Sequence, residues 1–154
     1  MKHTKINRSD ARGFTLIELM IVIAIIGILV GVGVFGWKKA IQRGNETAAA
    51  KTLQTVRETQ ADYYLGHRGE YGTFEQLLKD GSLDERFTGD APLIQGYIFT
   101  MKVKPRTPSE PAGYSVNADP QGGVGNHYYI DPNISTIRVN PAQPATATDP
   151  PIAQ

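Results

Sequence analysis

Cysteine is absent from the 154 residues, which excludes disulfide staples, thiolate zinc sites, iron–sulfur clusters and cysteine nucleophiles together. An excess of either charge is missing too: sixteen Lys and Arg stand against fifteen Asp and Glu, a formal net charge of +1. No global basic field exists to hold a nucleic acid backbone, and Lys102, Lys104 and Arg106 are too small a footprint for DNA. Of three histidines, His3 lies in the first segment, and neither His67 nor His127 stands at a metal or nucleophile spacing. Asn117, Asp119, Asn126 and Asp131 carry oxygens of a kind calcium accepts, but EF-hand spacing is lacking and turn formation accounts for them more simply. The chain reads as a non-enzyme with no catalytic, cofactor or metal residues.

What is present is apolar and concentrated. Residues 19–37 contain no charge, and a helix of that length, at about 1.5 Å per residue, spans one bilayer core. Ahead of it, Lys2, Lys5, Arg8 and Arg12 against Asp10 give residues 1–13 a net charge of +3, like the basic head of a secretory signal. Such a signal has roughly 7 to 15 apolar residues and then a small-residue cut site. Here the longer run leads into Trp37-Lys38-Lys39, with no cut evident after it. Lys38, Lys39, Arg43 and Lys51 balance the leading charges, so charge counting does not orient the segment.

Between basic head and apolar run stands Gly13-Phe14-Thr15-Leu16-Ile17-Glu18. This closely resembles the class III signal of type IV pilins and the related pseudopilins of type II secretion. The resemblance implies that a prepilin peptidase cuts on the cytoplasmic side between Gly13 and Phe14 and methylates the new Phe14 amine. Glu18 then becomes the fifth residue of the mature chain. Removing 13 residues from 154 leaves 141, and taking +3 from +1 leaves a mature side-chain charge of −2.

A carboxylate in an apolar span needs compensation, since a charge at a membrane helix centre costs on the order of 2.5 to 3.5 kcal/mol, less near the interface. The partial positive charge of the helix N-terminus supplies about 0.3 to 1 kcal/mol. The α-amine made by the cut is a stronger partner. Family resemblance implies that Glu18 pairs with the Phe14 amine of a neighbouring subunit and so sets the register of an assembling filament.

Residues 31–36 spell GxGxxG, but they lie inside an apolar helix without the βαβ unit of a dinucleotide site. Gly27 and Gly31 form GxxxG, which permits close helix approach in membranes. Local flexibility is the other reading of Gly27, Gly31, Gly33 and Gly36, because each interior glycine costs about 1 kcal/mol relative to alanine. Many type IV pilins have a proline, where the helix melts on assembly, at the place Phe35 occupies here, and the glycines would substitute for it.

Downstream, Ala49, Leu53, Val56, Gln60, Tyr63 and Tyr64 advance mainly by three or four, an amphipathic stripe continuing the helix to Gly66. Its expected length from Phe14 is about 53 residues, or roughly 80 Å. Thr73 and Gln76 have capping-box spacing and open a short helix over 74–80 that Gly81 ends. Strands are expected at 95–102, 114–118, 127–130 and 136–140, with a hairpin turn over 131–135. Prolines 105, 108 and 111 suit an exposed polyproline turn over 102–111. The segment after Asn140, with four prolines and little apolar weight, reads as a disordered tail in which Thr146 and Thr148 are candidate glycan positions.

The expected fold is therefore α+β and pilin-like, a long N-terminal helix packed on a small four-stranded antiparallel sheet. The expected organisation is a cleaved leader (1–13), a membrane or filament-core helix (14–37), a globular head (38–140) and a disordered tail (141–154). The expected function is that of a structural subunit of a type IV pilus-like filament serving attachment or motility. A pseudopilin of type II secretion, and a membrane-anchored ligand-binding module, are the alternatives. Implied partners are further copies of the chain in a helical homopolymer, the prepilin peptidase, the inner-membrane assembly machinery, and membrane lipid before assembly. The implied location is the bacterial inner membrane and then an extracellular or periplasmic filament.

Overall fold

The computed structural model describes residues 13–152, so all of the expected leader (1–13) except Gly13, and the final residues 153–154, lie outside the described residues. Helix α1 covers Leu16–Gly66 and helix α2 Phe74–Lys79, and a 3₁₀ turn follows at Glu85–Phe87. The strands are β1 (Leu93–Ile94), β2 (Tyr97–Lys104), β3 (Gly113–Pro120), β4 (His127–Ile130) and β5 (Arg138–Asn140). They form one antiparallel sheet in chain order, β1-β2-β3-β4-β5. The α+β class stands as expected, with five strands in place of four.

The additional strand is the two-residue β1, too short to show alternation in sequence. Gln95 and Gly96, at φ 48° and 78°, make the turn that pairs Ile94 with Tyr97, and positive φ at both central residues matches the natural twist of a hairpin. Gln95 thus lies in the turn and not in the strand expected from residue 95. A Cβ at Gly96 would stand 3.0 Å from the Asn45 side-chain nitrogen, so both backbone and space select glycine there. β2 and β3 run on in register from Tyr97↔Pro120 to Lys104↔Gly113. Lys102 and Lys104 are therefore strand residues, and the connecting loop is shorter than expected.

The chain divides into two compact units at Ala40/Ile41. In the second, α1 turns Ala49, Leu53, Val56 and Gln60 into the core at spacings of four, three and four, the period of one helix face. They join Phe99, Val116, Ala118 and Ile130 from the sheet, with Phe74, Leu77 and Phe87. Along β3 burial alternates, with Tyr114, Val116, Ala118 and Pro120 turned inward. The amide of Gln60 is fully buried yet satisfied: its nitrogen donates to the Gly72 carbonyl (2.6 Å), and its oxygen accepts from the Gly72 N–H (3.0 Å). The capping box of α2 is present, since Thr73 Oγ1 accepts from the Gln76 N–H and Gln76 Oε1 accepts from the Thr73 N–H. Gly81, at φ 73°, follows the helix end.

Residues 141–152 correct the reading of this segment as a disordered tail. Ala145 is buried, and its carbonyl accepts from the Asn117 side chain at 2.8 Å. Pro151 bridges Arg138, the Val139 N–H donates to the Pro150 carbonyl (2.9 Å), and the Ile152 N–H donates to the Ile137 carbonyl (2.8 Å). Asp149 accepts from Asn140, and from the N–H and hydroxyl of Thr146. Proline is poor in donors but keeps its carbonyl, so a proline-rich segment can close a sheet edge without unpaired N–H groups of its own. Composition alone does not reveal that geometry.

Candidate functional site

Glu18 stands in the first turn of α1, and Thr15 immediately precedes the helix. The Glu18 N–H donates to Thr15 Oγ1 (3.2 Å), while Glu18 Oε2 accepts both the Thr15 N–H and the Thr15 hydroxyl at 2.8 Å each. This is a reciprocal capping box, which satisfies orphan donors at the helix start and places a carboxylate at the positive end of the helix dipole. Glu18 is a candidate from sequence, whereas Thr15 emerges only from the structure. The signal was there, because Thr15-x-x-Glu18 follows the same pattern as Thr73-x-x-Gln76. Gly13 and Phe14 precede the cap, and the Phe14 side chain is 86% exposed.

From Leu16 to Gly31 every residue of α1 is exposed, including six isoleucines and three leucines. Helix Leu16–Gly66 is long and apolar enough to cross a membrane, and its most apolar window is wholly unburied. Water is a poor environment for apolar side chains all round a helix, so lipid or neighbouring helices are the suitable cover. A Cβ at Gly27, Gly31 or Gly36 would meet open space. Gly33 lies in the stretch 32–35, whose surroundings fall outside the description.

The remaining candidates are dispersed through the second unit. His67 stacks on Tyr63 at 3.7 Å between ring centroids, whereas His127 Nδ1 lies 2.5 Å from Asp119 Oδ1. Asn126 bonds Glu46 from α1, and Asp131 accepts from the N–H groups of Asn133 and Ile134 as a turn former. Lys104 pairs with Glu110, and Arg106 donates to Tyr64. Among the described residues no three His, Asp or Glu side chains come together.

Residues 8–34 match the family described as "Prokaryotic N-terminal methylation motif". Over 60 residues, the chain is 42% identical to a fimbrial protein of Neisseria meningitidis serogroup B, covering 39% of this chain and 35% of that protein. It is 41% identical over 56 residues to the type IV major pilin protein PilE1 of Neisseria gonorrhoeae, covering 36% and 34%. The N-terminal part of the chain is thus similar to type IV pilins. The pilin match recurs at 38% identity over 63 residues with the type IV major pilin protein PilA of Myxococcus xanthus, covering 41% of this chain and 28% of that one. Matches thus span about a third of the length of these curated pilin relatives. No solved structure matches the chain. Gly13, Phe14, Thr15, Glu18, Gly27, Gly31 and Gly33 lie within the pilin-type segment, and Gly36 lies beyond it.

Proposed function

We propose that the chain is the structural subunit of a type IV pilus-like filament, polymerised through α1 and serving attachment or motility. The observation that carries this reading is the coincidence, within 8–34, of the methylation motif with the exposed apolar helix bearing one capped carboxylate. In the precursor, lipid of the inner membrane covers the apolar segment. A prepilin peptidase then cuts between Gly13 and Phe14 and methylates Phe14, and the membrane assembly machinery moves the mature chain into a helical homopolymer outside the cell. There, neighbouring helices replace lipid around residues 16–31, and Glu18 pairs with the Phe14 amine of the next subunit. The glycines at 27, 31, 33 and 36 give either close approach or local flexibility to that packing.

The names of the relatives favour a pilus over a secretion pseudopilus, since they are fimbrial proteins and major pilins. Electron micrographs of cells with and without the protein test the reading, together with the mass of the mature chain. Surface filaments that depend on the protein, and a mature chain beginning at Phe14 with a 14 Da increment, are expected. A mature chain that keeps residue 1, or that begins after Trp37, would refute it.

A further inference from the structure

An open groove of about 820 Å³ runs along the second unit between α1 and the C-terminal segment. Its α1 side carries Arg43, Thr47 and Lys51, spaced by four and so on one ridge of the helix. The opposite wall is apolar, made by Tyr128 of β4, Val139 of β5, Pro150 and Ile152. Three charged groups line the groove, and one of them is already engaged. Glu46 accepts from the Gln42 side chain (3.1 Å) and from the N–H and side-chain nitrogen of Asn126 (3.4 and 3.3 Å). The Arg43 guanidinium and the Lys51 ammonium have no hydrogen-bond or ion-pair partner among the described residues, and both residues are exposed.

Two unpaired cations beside an apolar wall match an amphiphile with an anionic head, since phosphate answers the charge and the less polar part covers the wall. Chain reach identifies the source. Arg43 stands six residues after Trp37, the end of the uncharged run, so the chain between them spans no more than about 20 Å even if fully extended. We infer that this groove docks the second unit on anionic phospholipid of the bilayer that α1 crosses, with headgroup phosphates against Arg43 and Lys51 and the lipid interface against the Tyr128–Ile152 wall. The inference rests on the reading of α1 as a membrane span in the precursor, and it needs neither the cut at Gly13 nor polymerisation. Attraction of exposed cations to an anionic lipid surface decays within a Debye length, so the docking is salt-sensitive.

The test uses the full chain with Gln54→Cys, in the groove, as its single thiol. The thiol carries a fluorophore, and the protein is reconstituted in vesicles of phosphatidylcholine alone or with phosphatidylglycerol added. Quenching by acrylamide, which is uncharged, reads the ratio of shielded to open label. Shielding is expected only with phosphatidylglycerol and should vanish in high salt. Arg43→Gln and Lys51→Gln should each lower the ratio about fivefold, the factor that corresponds to one cation at an anionic lipid surface. A label at Ser109→Cys, exposed and outside the groove, should stay open throughout. Equal quenching in the two lipids, or shielding that survives both substitutions together, would overturn the docking while leaving the membrane span intact. Shielding in phosphatidylcholine that grows with the protein-to-lipid ratio would also overturn it, since a second copy would then be the cover. A chain that alkaline carbonate strips from the vesicles would instead remove the span on which the inference rests.

Discussion

The side-chain amide of Asn117, on β3, donates to the carbonyl of buried Ala145 at 2.8 Å and so fastens the C-terminal segment across the sheet. The same segment bonds β5 through Val139–Pro150 and the residue before that strand through Ile137–Ile152. A chain without cysteine cannot close its C-terminal region covalently, and here hydrogen bonds and one buried methyl group do so.

Removing residues 141–154 should therefore destabilise the second unit, since it strips the edge of β5 and leaves the Asn117 amide without its partner. Losing a buried partner costs about 1 to 3 kcal/mol, and a melting temperature lower by about 5 °C or more is expected for the full chain in detergent. Asn117→Ala should show part of the same loss. Circular dichroism melts decide it, and a truncated chain that melts with the wild type would mean that the segment contributes no stability.

Gln60→Leu tests the second buried polar link. Leucine suits the helix face, but it leaves the Gly72 N–H and carbonyl without their partners, at a cost of about 1 to 3 kcal/mol. Chemical denaturation should register the loss, and amide exchange at Gly72 should accelerate. Unchanged exchange at Gly72 would show that another group satisfies it.

The positions that sequence revealed and those it concealed differ physically. The amphipathic stripe from Ala49 to Gln60 was legible because helix burial repeats with a fixed period, and the Thr73–Gln76 cap because its residue types are selected by donors at a helix start. The Thr15–Glu18 cap carries the same local signal, but beside a long apolar run the charge of Glu18 is the more conspicuous feature. β1 was concealed because two residues cannot alternate, and the C-terminal closure because it depends on Asn117, distant in sequence from Ala145. The proposed cut between Gly13 and Phe14 is legible only as a motif, since Phe14 is exposed and its environment imposes nothing.

Alkaline pH should loosen the second unit. Burial pushes the Tyr114 hydroxyl from 10.0 up to about 12, with Arg57 opposing and Tyr71 adding to the rise; burial also raises Tyr97. The folded state thus holds its protons more tightly than the unfolded chain, so this contribution is fully present below pH 10 and is lost as pH rises towards 12. Tyrosine absorbance followed with circular dichroism should show ionisation of Tyr114 accompanying unfolding over that interval, and Tyr114→Phe should move the transition upward. Ionisation of Tyr114 near pH 10 with the fold intact would contradict the burial argument.

Glu18→Val should separate membrane retention from assembly. Valine makes the N-terminal segment more apolar, so insertion cannot suffer, and Gly13 and Phe14 remain for the proposed cut. The cap is weakened and the charge is lost. In a packed filament each Phe14 amine would stand without its carboxylate, and breaking one side of a buried ion pair commonly costs about 3 to 5 kcal/mol. Repeated at every subunit, that penalty should prevent stable addition, leaving cut protein in membranes and few or no filaments after shearing. Quantifying both fractions for wild type and Glu18→Val as the sole subunit tests the expectation. Normal filaments built from the variant alone would show that α1 packs in register without this carboxylate, and the helix surface from Leu16 to Gly31 would then have to set the register by shape.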